Sequence, residues 1–223
     1  MSLPEFRRMR AVIFDMDGVI FDSEKLYIDC CVEAAEPLGM ENIVETVYRC
    51  IGVTTEVTLR ILTEAYHDAA LVASFRAAAD SLFREKYRAG LLQVKPGVRE
   101  LLTELKSRGL KLAVASSTRT EAVERELADA GLLPFFDRIV GGDRVGRSKP
   151  NPDIFLKAAE ALGETPERCL VIEDSFNGIR AAKAAEMTVI MVPDLLQPDE
   201  EMLALADAVE PSLLQVLERL RNP

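Results

Sequence analysis

The chain predicts an α/β fold, a doubly wound five-stranded parallel sheet of Rossmann-like type interrupted by an all-helical domain. Three observations predict it. From residue 94 onward, apolar runs of strand length alternate with amphipathic stretches of helical period. One further apolar run, Ala11–Phe14, stands far upstream of the others, and residues 23–93 between them read as helix almost throughout.

The first strand, Ala11–Phe14, runs directly into Asp15-Met16-Asp17-Gly18. A strand alternates its side chains between faces, but the alternation relaxes where it frays into a loop, so Asp15 and Asp17 can both reach one pocket. Gly18 permits the sharp turn that follows. The segment 23–93 is rich in Ala, Leu and Glu, with one strong interruption at Cys50-Ile51-Gly52-Val53-Thr54. Helix is then expected over 98–108, strand over 112–115, helix over 120–130, strand over 138–140, helix over 153–162, strand over 169–172, helix over 177–185 and strand over 188–192. Gly109 and Gly131 follow two of the helices at C-cap positions. Strand and helix in alternation mean a parallel sheet covered on both faces. The expected organisation is a discontinuous core, residues 10–22 and 94–223, with a helical cap, 23–93, inserted between strands one and two. Phe21-Asp22-Ser23 and Val94-Lys95-Pro96-Gly97 read as the hinges of a lid; a rigid subdomain that pads the core is the alternative.

Composition narrows the function. With 223 residues, 48% of them hydrophobic, the chain can fill a sizeable core. Its formal charge of -10 argues against nucleic acid as a partner, which would want a basic stripe. An anionic substrate must therefore be drawn in by local positive features. The four cysteines, Cys30, Cys31, Cys50 and Cys169, include an adjacent pair and no Cys-x-x-Cys, so neither zinc nor a disulfide framework is indicated. No apolar segment is long enough to span a bilayer, so no membrane partner is expected, and no run of signal-peptide length precedes Asp15; a reducing cytoplasm is the expected compartment.

Ligands of open parallel sheets bind beyond the carboxyl ends of the strands. Those ends carry Asp15 and Asp17, then Ser116-Ser117-Thr118, then Gly141-Gly142-Asp143 leading to Lys149-Pro150, then Glu173 and Asp174. Each has a plain reading: the hydroxyls as a helix N-cap, Lys149 as a solvated loop residue, the acids as caps of the next helix. Together the motifs Asp15-Met16-Asp17-Gly18, Val114-Ala115-Ser116-Ser117, Ser148-Lys149-Pro150-Asn151-Pro152 and Ile172-Glu173-Asp174-Ser175 resemble the haloacid dehalogenase superfamily. The similarity is to its phosphatase and β-phosphoglucomutase branch, with a helical cap after the first motif, and it covers essentially the whole chain.

The resemblance implies that Asp15 is a nucleophile forming an aspartyl-phosphate and that Asp17 is the general acid and base. It implies that Ser116, helped by amides at the start of the following helix, and Lys149 hold the transferring phosphoryl group. Asp15, the Asp17 carbonyl, Glu173 and Asp174 are implied to bind Mg²⁺, which hard oxygen ligands select. An acid at position 17 separates the phosphoryl-transfer branch from the dehalogenases. Where β-phosphoglucomutases carry a His ten residues after the second aspartate, this chain has Tyr27; where they carry a cap Arg three residues after a glycine like Gly52, it has Thr55. Its one histidine, His67, reads as a surface residue.

The expected function is thus Mg²⁺-dependent hydrolysis of a small phosphorylated metabolite, sugar phosphates among them, with mutase chemistry the alternative and an idle binding protein or a phospho-receiver switch more remote. Ser23, Glu24, Lys25, Tyr27, Thr54 and Thr55 on the cap, with Ser117 and Arg119 on the core, are the candidate substrate contacts. The sequence does not give the oligomeric state, and a monomer is compatible with it.

Overall fold

The computed structural model describes residues 8–51 and 55–221. It divides into two compact units, one running to Phe21 and resuming at Val94, the other spanning Asp22–Gln93. The first contains a wholly parallel sheet in the order β3-β2-β1-β4-β5-β6, built from β1 (Ala11–Phe14), β2 (Lys111–Ser116), β3 (Arg138–Gly141), β4 (Cys169–Glu173), β5 (Thr188–Met191) and β6 (Ala208–Val209). The expected five strands become six. The sixth is two residues long and half-buried, too short to leave an apolar run, and it is recognised only by its pairing, Ile190 with Ala208 and Met191 with Val209.

The order reverses at β1, which pairs with β2 on one side and β4 on the other, Phe14 lying level with both Val114 and Ile172. This is the topological switch point, where the loops after the strands diverge and leave a crevice. Asp15 emerges there. Ala11, Ile13, Ala113, Ala115, Val171 and Val189 share one apolar layer with Ile154, Phe155, Ala158, Ile179 and Ala182. The last five come from helices Asp153–Leu162 and Phe176–Ala184. Burying a Leu, Ile or Phe side chain contributes about 1.5–3 kcal/mol, so this layer is the reserve against which the charged groups at the strand ends must be set.

Asp22–Gln93 is helical, as its pattern predicts: α1 (Ser23–Ala35), α2 (Ile43–Tyr48), α3 (Thr55–Tyr66) and α4 (Ala69–Arg88). Its separate core includes Cys31, Ala34, Met40, Ile43, Val47, Leu62, Val72, Phe75 and Ala79. Asp68 caps α4, its carboxylate accepting from the amides of Ala70 and Leu71. Among the described residues no helix is long and apolar enough to cross a membrane.

Candidate active site

The turn after β1 is built by backbone hydrogen bonds. The Asp15 amide donates to Ile172 O of β4 at 3.0 Å, which extends the pairing one residue past the strand. The amides of Ile20 and Phe21 both return to Met16 O, and the Gly18 amide donates to Phe21 O. Gly18 sits at φ 78°, and a Cβ there would overlap the Asp174 carboxylate. Only glycine lets the backbone come this close to the acid after β4.

Lys149 organises the centre. Its ammonium donates to Asp15 Oδ1 at 2.5 Å and to Glu173 Oε1 at 2.8 Å, and lies 5.0 Å from the centre of the Phe155 ring. All are buried: Asp15 is 6% exposed, Lys149 9%, Glu173 0% and Asp174 5%. Oxygens of Asp15, Glu173 and Asp174 lie within 4.8 Å of one another. One ammonium among three carboxylates is too little positive charge. Burial, with Glu173 and Asp17 nearby, pushes the Asp15 carboxyl up to about 8 against the opposing pull of Lys149. Burial works against the Lys149 ammonium in turn, yet Asp15 and Glu173 outweigh it and hold its pKa above the ordinary lysine value.

Glu173 is wired further into the fold. Its Oε2 accepts from the Ser175 amide at 2.6 Å, Ser175 Oγ accepts from the Gly178 amide at 3.1 Å, and a Cβ on Gly178 would overlap the Glu173 carboxylate. The N-cap of helix Phe176–Ala184 is therefore Ser175, not either acid.

On the other side, Ser116 ends β2 fully buried. Its hydroxyl lies 3.5 Å from Asp17 Oδ2 and accepts from the Thr118 amide at 3.0 Å, while the Thr118 hydroxyl donates to Asp17 Oδ2 at 3.2 Å. Sequence reading placed Thr118 in this loop but gave it no part in the site; its spacing two residues after Ser116 was the available signal. It also missed Asp143, whose Oδ1 accepts from the Thr120 amide at 2.6 Å and the Thr120 hydroxyl at 2.8 Å. Asp143, rather than Ser116 or Thr118, thus serves the start of helix Thr120–Asp129, and that first amide is not available to a phosphate. Ser117 and Arg119 are exposed on the same loop.

Asp15, Asp17, Ser116, Lys149, Glu173 and Asp174 are thereby brought together. Ser23 is the buried first residue of α1. The Tyr27 hydroxyl donates to Asp80 Oδ1 at 3.0 Å, its ring meets Phe83 edge-on at 5.9 Å, and burial pushes its hydroxyl well above the ordinary tyrosine value. Lys25 lines a concavity of about 220 Å³ with Asp22, Leu26, Asp29, Leu91 and Gln93. Gly52 and Thr54 lie outside the described residues, as does the side chain of Thr55. His67 is an exposed turn residue between α3 and α4.

The haloacid dehalogenase-like hydrolase model matches residues 12–192, which contain every strand-end motif described above. The chain belongs to that family. It is 42% identical over 180 residues to the phosphorylated carbohydrates phosphatase of Thermotoga maritima, an alignment covering 79% of this chain and 82% of the relative. To hexitol phosphatase B of Escherichia coli it is 31% identical over 224 residues, 97% of each chain. A crystal structure from Thermotoga maritima, provisionally named a beta-phosphoglucomutase, superposes with a TM-score of 0.74 at 36% identity, covering 95% of this chain and all of the other.

Proposed function

We propose that this haloacid dehalogenase-like hydrolase is a phosphatase of small phosphorylated metabolites, with sugar and sugar-alcohol phosphates the leading class. The observation that carries it is the buried Lys149 ammonium bridging Asp15 and Glu173 at the switch point of the sheet. Asp15, the carboxylate that follows β1, serves as the nucleophile while Lys149 offsets the charge. The names of the two phosphatase relatives support the substrate class.

In this reading an Asp15 carboxylate oxygen attacks phosphorus in line, the bond to the leaving oxygen breaks, and Asp17 gives that oxygen its proton. Asp17 then takes a proton from water as the water attacks phosphorus; the bond to Asp15 breaks and inorganic phosphate leaves. The contacts of the Ser116 and Thr118 hydroxyls with Asp17 Oδ2 support this role by fixing its carboxylate. Lys149 steadies the nucleophile and the transferring group.

The residues fit a hard divalent cation. Three carboxylates within 4.8 Å of one another leave negative charge that Lys149 alone does not balance. Glu173 is already engaged by Lys149 and the Ser175 amide, so Asp15, Asp174 and the Asp17 carbonyl are the better ligands, with Glu173 supporting them. Mg²⁺ bound there would screen substrate phosphate from the acids and stabilise charge in the transition state. The helical unit serves as the cap that selects the leaving group. The four thiols are free, which suits the reducing cytoplasm we assign to the protein.

Phosphate release from a panel of sugar and polyol phosphates, with and without Mg²⁺, tests the proposal, with β-glucose 1-phosphate plus a trace of the 1,6-bisphosphate run alongside. Mg²⁺-dependent release is expected. Glucose 6-phosphate formed without release would make the chain a mutase instead.

A further inference from the structure

Outside the Lys149 cluster the core holds a second lysine–carboxylate pair that the proposed chemistry does not use. Lys95 Nζ donates to Asp194 Oδ1 at 2.5 Å and to the carbonyl of Gly18 at 2.7 Å, with the two side chains 18% and 14% exposed. Lys95 follows Val94, which bridges Phe21, and its own amide donates to Ile20 O at 2.9 Å. Asp194 follows β5. The other Asp194 oxygen is buried with no donor among the described residues, and a carboxylate oxygen of Asp194 comes within 4.8 Å of one on Asp174. Lys95 is thus the partner on which the Asp194 charge depends.

We propose that Lys95 is a positioning residue for the nucleophile turn, an inference that rests on the phosphatase reading. The Gly18 carbonyl belongs to the peptide unit immediately after the one that carries the Asp17 carbonyl. Gly18 has φ 78° and is pressed against Asp174, so this peptide has backbone freedom that no Cβ restrains. The Lys95 ammonium holds its carbonyl, and the Asp174 carboxylate fills the space that a Cβ on Gly18 would take. The amides of Gly18, Ile20, Phe21 and Lys95 hold the backbone of the turn, and the Lys95 ammonium adds a side-chain donor on the Gly18 carbonyl. Asp194 sets the direction of the ammonium and does not itself act on the turn. Displacing reacting groups by about 1 Å can lower a rate on the order of 10²-fold, so a lost tie here reads out in turnover.

The test compares Lys95→Met, Lys95→Arg and the double variant Lys95→Met with Asp194→Asn, using p-nitrophenyl phosphate. Lys95→Met is expected to lower kcat by about 10-fold to 10²-fold with KM within about twofold. Lys95→Arg, which can still donate to the carbonyl, recovers most of the loss. The double variant does not, because removing the Asp194 charge leaves the carbonyl untied. Amide hydrogen exchange of the metal-free protein gives a readout independent of turnover: residues 16–21 exchange faster in Lys95→Met while β2 and β4 are unchanged. Unchanged kcat and exchange alongside a lower melting temperature would overturn the proposal, as would recovery in the double variant. If wild type releases no phosphate, the phosphatase reading falls, and exchange at 16–21 still decides the role of Lys95.

Discussion

The two ends of the sheet carry the same chemical pair in opposite circumstances. At the amino ends of β2 and β3, Lys106 meets Asp137 at 3.0 Å and Lys111 meets Glu164 at 2.6 Å. At the carboxyl ends, Lys149 meets Asp15 and Glu173 at 2.5 and 2.8 Å. The distances are alike; the solvent is not. Lys106 and Asp137 are each more than a third exposed, so their attraction is screened and contributes roughly 0–1 kcal/mol. The Lys149 cluster is buried, and desolvation costs about several kcal/mol per ion. A fold that maintains such a cluster with the apolar layer beneath β1 keeps it for a reason other than stability, and ionisable groups held in this way mark reactive sites.

Replacing Asp15, the proposed nucleophile, is the strongest way to break this contrast. Asp15→Asn is expected to lower phosphate release by about 10⁴-fold or more while the protein stays folded by circular dichroism. Retained turnover would move the chemistry elsewhere. The next largest effect is on stability. Lys149→Met leaves two buried carboxylates without their ammonium, and urea unfolding should show a loss of about 3–5 kcal/mol. Lys106→Met at the other end should lose no more than about 1 kcal/mol. Equal losses would erase the distinction between the ends.

Between these extremes stands Glu126 on the helix Thr120–Asp129. Burial, reinforced by Asp17, pushes its carboxyl up to about 7 from the ordinary 4.5. A raised carboxyl pKa means that the folded state binds the proton more tightly than the unfolded chain, so stability falls as pH rises from 4.5 to about 7 and is flat beyond. Glu126→Gln should therefore melt higher than wild type at pH 8, and the two should converge below pH 4.5. A difference independent of pH would count against this account.

The smallest effect belongs to Asp137. Burial acts to raise its carboxyl, but the Leu112 amide and the Lys106 ammonium outweigh it and hold it below the ordinary 3.8. Its contribution is complete above pH 3.8 and is lost as pH falls through the lowered folded value. Asp137→Asn should be slightly less stable than wild type at pH 6, with the gap closing in acid unfolding. A gap that widened in acid would reverse the sign.

How far the sequence was legible follows the same division between local and distant. Asp15, Ser116 and Asp174 could be named because each sits at or just past the end of a buried apolar run, a position that a strand pattern announces. Lys149 was legible through the motif Ser148-Lys149-Pro150, though not through any pattern that showed which acids it would meet. Thr118 escaped because a hydroxyl in a loop reads first as a cap. Asp143 escaped because the amide it satisfies belongs to Thr120, on a different crossover. The Tyr27 bond to Asp80 joins residues 53 apart, which no helical period encodes.

By itself, then, the sequence determined the alternation of strands and helices, the helical insertion, and the acids and hydroxyls delivered at the strand ends. These are short-range properties, written in the periods of two and 3.6 by which strands and helices expose their faces. Tertiary structure alone decided that Lys149 would serve two carboxylates at once, that Glu173 would be shared with the Ser175 amide, and that a sixth strand would close the sheet edge. The Lys149–Asp15 bond spans 134 residues of chain. A contact at that separation arises only when the sheet order brings the ends of separate strands to one crevice, and it leaves no periodic trace in the residues that make it.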